Sequence, residues 1–124
     1  MTAPEFFEIR QGYAYYRPVG QVSLDQATGL LVRALEYAME QNIAKLLVNA
    51  AYLSMPFPTL SDRYFAVREW ARVAGGCVRL SIVLAPEIID PEGFGAVVAK
   101  NAGLAANLFT SEPEALKWLL AESD

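Results

Sequence analysis

Any chemistry in this chain must do without histidine and with a single thiol, because the sequence has no histidine and one cysteine. The missing imidazole removes the commonest general base, the Ser–His and Cys–His nucleophile pairs and the commonest transition-metal ligand. One cysteine makes neither an internal disulfide nor a thiolate zinc site. Cys77 follows Gly75-Gly76 at the start of an apolar run and reads as a buried small hydrophobe. Arg79 would share its face in a strand and is the nearby cation that favours a thiolate. General acid–base catalysis needs two positioned carboxylates. Glu87 and Asp90 are the pair near the expected site, but Asp90 stands where a helix cap belongs and Glu87 lies in an exposed loop. Gly75-Gly76 follows a helical pattern and Gly93-x-Gly95 lies within one, so neither is a phosphate-cradling loop. The expectation is no enzyme, no metal and no cofactor.

The elements that position these residues come from pattern and punctuation. At 124 residues and 54% hydrophobic content, the chain is one domain, 1–124, with a real core. Ten basic against fourteen acidic residues give a net charge of −4. No Lys/Arg run interleaves with aromatics, so a nucleic-acid footprint is missing. Apolar stretches are far shorter than a membrane span, and Met1–Glu5 has no signal-like pattern. The expected location is the cytoplasm.

Phe6–Arg10 and Tyr13–Val19 read as strands joined at Gln11-Gly12 in a hairpin. Ser23-x-x-Gln26 is a capping box opening a helix to about Gln41. Ala27, Leu31, Ala34 and Ala38 form its core stripe, and Thr28, Val32, Leu35 and Met39 a second one. So wide an apolar arc asks for a neighbouring helix, or else a subunit contact. Lys45–Ala50 is a central strand, followed by the loop Met55-Pro56-Phe57-Pro58. Thr59 or Ser61 caps a second helix that runs to Ala74 and stops at Gly75-Gly76. Its core stripe reads Leu60, Tyr64, Val67 and Ala71, with Ser61, Phe65, Arg68 and Arg72 on another face. Arg79–Ala85 is nearly apolar throughout, as a buried parallel strand should be. Asp90-Pro91 predicts a helix over Pro91–Ala102. Asn107–Phe109 is a last strand, and Ser111-x-x-Glu114 opens a last helix anchored by Leu116, Leu119 and Leu120. The fold class is α/β, in the order β-β-α-β-α-β-α-β-α, with a mostly parallel sheet and helices packed on it.

This order, with Leu46-Leu47-Val48-Asn49 and the Glu114-Ala115-Leu116 helix after Leu108-Phe109-Thr110, resembles the STAS domain family, the fold of anti-sigma factor antagonists. It looks closest to the divergent STAS-like proteins grouped with CRAL-TRIO-type lipid-binding domains. The resemblance implies a regulatory domain that works by binding other proteins. Typical antagonists are phosphorylated on a hydroxyl in an Asp-(Ser/Thr)-x-Gly pattern where the loop enters the second helix. Here that stretch is Phe57-Pro58-Thr59-Leu60-Ser61-Asp62, and the pattern is absent. The switch residue carries over to Thr59 alone. A phosphate there would meet a helix N-terminus, yet Thr59 also reads as a plain cap, and no phospho-switch is expected.

Ligands of open α/β sheets bind outside the carboxyl ends of the strands. Those ends lead into Asn49–Thr59 and Ala85–Glu92, where Met55, Phe57 and Ile88 are apolar and Asn49 and Glu87 are among the few polar groups. Such a place suits a small hydrophobic ligand or a peptide, or else Phe57 and Ile88 simply lid the sheet. The face of Phe65, Arg68 and Arg72 has the composition of an interface centre and would take an acidic protein or a second copy of the chain. Phe65 packed beneath the Met55–Pro58 loop is the other reading. The leading expectation is a protein-interaction module. The alternative is a lipid or small-ligand carrier, and the least favoured reading is an enzyme using Glu87 and Asp90.

Overall fold

The computed structural model describes residues 2–90 and 92–121. Two tight runs build the sheet's first edge. β1 (Phe7–Arg10) pairs antiparallel with β2 (Tyr13–Tyr16) in the register Phe7↔Tyr16 to Arg10↔Tyr13. Gly12, at φ 85°, takes the left-handed conformation the reversal requires. β2 then runs parallel to β4 (Lys45–Asn49), β4 to β6 (Arg79–Val83), and β6 to β7 (Ala106–Phe109). The result is a mixed, mostly parallel five-stranded sheet in the order β1-β2-β4-β6-β7. The continuous apolar runs of β4 and β6 lie side by side at its centre, as a strand covered on both faces requires.

Strand alternation sorts the core into two layers. Ala14, Tyr16, Leu46, Val48, Leu80 and Ile82 face α1 (Leu24–Glu40), α2 (Leu60–Ala74) and α3 (Phe94–Asn101). Tyr15, Leu47 and Val83 face α4 (Glu112–Leu120), where Ala115 and Leu119 are fully buried. Each fully buried Leu or Ile contributes about 1.5–3 kcal/mol. The second stripe of α1 is covered by a neighbouring helix: α1 packs along α2, and Trp70 Nε1 donates to the Thr28 carbonyl at 3.1 Å. Capping boxes start both helices. Ser23 and Gln26 exchange side-chain bonds with each other's amides, and so do Thr59 and Asp62.

Five sequence expectations change, the first being that Leu120, expected to anchor α4, is 41% exposed. Two-residue strands β3 (Gly20–Gln21) and β5 (Leu53–Ser54) form a separate parallel pair, too short to leave a periodicity. α3 begins at Phe94 rather than at Pro91, which lies outside the described residues. Asp90 still caps, but it accepts from Phe94 N at 3.0 Å across Gly93, whose φ of 70° cannot belong to a helix. Cys77 is exposed, not buried, because Gly75 and Gly76 hold a left-handed turn and the strand begins only at Arg79. Leu60 and Tyr64 are exposed rather than core. The buried face of α2 runs instead through Val67 and Ala74. Among the described residues, no helix is long and apolar enough to cross a membrane.

Candidate functional site

The residues singled out from the sequence go to three separate places. Asn49 ends β4 on the α4 side of the sheet. Its Nδ2 donates to Glu112 Oε2 at 2.5 Å, and its Oδ1 accepts from Ala51 N at 3.0 Å. The Tyr15 hydroxyl donates to the same Glu112 oxygen. One carboxylate in the first turn of α4 therefore ties the helix to β2 and β4. Both Tyr15 and Asn49 are buried. Burial, followed by the hydrogen bond to Glu112, pushes the Tyr15 phenol up to about 12. The Arg10 guanidinium lies 3.9 Å from the centre of the Tyr15 ring. This cluster is a latch: its donors and acceptors are matched to one another, with Asn49 bonded at both ends of its amide.

Met55 and Ile88 lie on the opposite face, at the lining of an apolar pocket of about 120 Å³ between α1, α2, α3 and the sheet, partly open to solvent. Small residues create this space. Ala27 comes from α1, Ala66 from α2, Gly95, Ala96 and Ala99 from α3, and Ala106 from β7. Larger apolar side chains at those positions would fill it. Nothing in the periodicity of any one helix announces the cavity, since a small residue on a core stripe is equally a site of close helix packing.

The third place is the outer surface at the start of α2. Phe65 is 69% exposed, Phe57 66%, Leu60 56% and Tyr64 42%. Tyr64 and Phe65 stack edge to face with centroids 5.4 Å apart. Arg63 lies over Phe57 at 5.5 Å and Arg68 over Tyr64 at 6.0 Å. Arg72, one turn on, pairs with Glu69 at 2.5 Å. Leu60 and Tyr64 were assigned to the core by their spacing; they join Phe65 here and enlarge the patch beyond what the sequence suggested. The visible signal was four large apolar residues, Phe57, Leu60, Tyr64 and Phe65, within nine positions.

Thr59 sits between the patch and the loop as a cap. Its Oγ1 accepts from Asp62 N at 3.0 Å, and Asp62 Oδ2 accepts from Thr59 N at 2.8 Å. Those bonds hold the exposed Asp62 carboxyl below the usual range, with the Thr59 amide as the main cause. A phosphate on Thr59 would face that carboxylate. Glu87 is exposed on the short 3-10 helix Pro86–Ile88. Asp90 directs both carboxylate oxygens to backbone amides, of Glu92 at 3.3 Å and of Phe94 at 3.0 Å. No family model matches the chain, and no curated protein matches it either.

Proposed function

We propose that this chain is a non-enzymatic, regulatory protein-interaction module of STAS-like fold, and that it binds its partner through the start of α2. The reading is supported above all by the exposed cluster of Phe57, Leu60, Tyr64 and Phe65. Single exposed apolar residues are ordinary on a protein surface, but a contiguous aromatic group bordered by arginines is the composition of an interface centre. Arg63 and Arg68 set their guanidinium groups over the Phe57 and Tyr64 rings and present positive charge at the rim. The matching surface is apolar with an acidic border. The STAS-like assignment draws its support from the element order and from a loop-to-helix entry at Thr59. The capping box there gives that hydroxyl a role without phosphorylation.

The test places a photo-cross-linking residue at position 65, with position 36 on the exposed side of α1 as control. Adducts form at 65 with one protein of defined mass, or with a second copy of the chain in purified samples. Leu60→Ser abolishes them while leaving the far-UV spectrum unchanged. Equal adducts at 36 and 65, or adducts indifferent to Leu60→Ser, would overturn the reading.

A further inference from the structure

We infer that the cavity beneath α2 is a binding site for a compact, uncharged apolar molecule about the size of a six-membered ring. This site is distinct from the surface patch: its apolar wall lies on the inner side of α2 and the patch on the outer side, with Arg63 bordering both. Three observations carry the inference. The first is volume. A space of about 120 Å³, partly open to solvent, is close in volume to the apolar cavities of roughly 150 Å³ that take up benzene. The second is the wall. Leu31, Val67, Ile82 and Leu104 are all buried and apolar.

The third observation is that, Arg63 apart, the polar side chains on the wall already have hydrogen-bond partners. Trp70 Nε1 donates to the Thr28 carbonyl, and Thr28 Oγ1 donates to the Leu24 carbonyl at 3.0 Å. Asn107 Oδ1 accepts from Leu108 N at 2.9 Å, and Asp62 accepts from Thr59 N. Arg63 lies over the Phe57 ring. Away from Arg63, a ligand with a charge or several hydrogen-bonding groups would find no partner on the apolar wall and lose its hydration. An apolar one replaces empty space with dispersion contacts. A water molecule in the same space would need two or more polar partners that this wall does not offer.

The probe is toluene, added to protein carrying ¹³C-labelled methyl groups. Saturable shifts of the Leu31, Val67, Ile82 and Leu104 methyls are expected, with those of Leu47 and Leu119 on the α4 face unmoved. Benzoate, the same ring bearing a charge, should leave all of them in place. Ala99→Leu fills the cavity and should weaken toluene binding by at least about tenfold. Ala66→Leu fills it from a different helix and serves as the readout where Ala99→Leu does not fold. Shifts that do not saturate overturn the site, as does binding undiminished in the filled variants. Benzoate binding as strongly as toluene overturns the ligand class. None of these results bears on cross-linking at position 65, so this inference and the interaction surface stand or fall separately.

Discussion

The two faces of the sheet are packed by different rules. On the α4 face, a single helix lies against β4, β6 and β7, Ala115 and Leu119 are fully buried, and a shared carboxylate fixes its first turn. On the other face, three helices cover more area yet leave about 120 Å³ open. The comparison teaches that tight packing and open volume are segregated by strand parity. Odd-numbered positions of β4 and β6 feed the latched layer, and even-numbered ones feed the layer with room in it.

The contrast is most directly broken at Asn49. Asn49→Asp would set a buried carboxylate against the half-buried Glu112. It should cost about 3 kcal/mol in chemical denaturation, because no ion pair to Glu112 is present among the described residues. Adding Glu112→Gln restores a donor and should return most of that loss. If the double variant is no more stable than Asn49→Asp alone, the latch is not what holds α4.

A matched pair of enlargements sharpens the comparison next. Ala115 and Ala99 are both helical and almost completely buried, one on each face. Ala115→Leu overfills the α4 face and should destabilise by about 2 kcal/mol. Ala99→Leu grows into open space and should cost less than about 1 kcal/mol, or stabilise. Equal losses would mean that the two faces are equally full.

The smallest effect is in pH. With the Tyr15 phenol raised to about 12 against an ordinary 10, the native state holds the neutral form more tightly than the unfolded chain does. Its contribution is fully present below pH 10 and is lost as pH rises through 12. Over that window the wild type should lose on the order of 1 kcal/mol more stability than Tyr15→Phe. The pairwise comparison cancels the other tyrosines, including Tyr16, whose phenol burial also raises. Parallel alkaline melting curves for the two proteins would remove Tyr15 from the latch.

How much of this was legible in the sequence depends on whether the deciding interaction is local. The extent of α2 follows from a cap at Thr59 or Ser61 and a Gly-Gly stop, and the structure settles the cap on Thr59 and the helix on Leu60–Ala74. The parallel pairing of β4 with β6 follows from two apolar runs separated by a helix. The exposure of Leu60 and Tyr64 was not legible, because an i, i+4 spacing states a stripe but not whether anything lies opposite it. The site was harder still. Asn49, Met55 and Ile88 sit at the same end of the sheet and were grouped on that basis. Yet Asn49 has the parity of Leu47 and so faces α4, whereas Met55 and Ile88 line the cavity. Its partner Glu112 is 63 residues away, beyond the reach of any local pattern.

The placement of the two tryptophans gives each face its own optical label. Trp70 sits in the layer of α1 to α3, at the cavity wall, with its indole N–H held by the Thr28 carbonyl. Trp118 sits in the other layer, with the Arg79 guanidinium 3.7 Å from the centre of its ring and the Phe109 ring centroid 5.9 Å away. The sequence contains no third indole. Replacing either one by phenylalanine leaves a protein whose tryptophan emission, excited beyond the tyrosine band, comes from one side of the sheet alone. Loosening of the three-helix layer and release of α4 can then be timed as separate events in the same chain, without any attached dye.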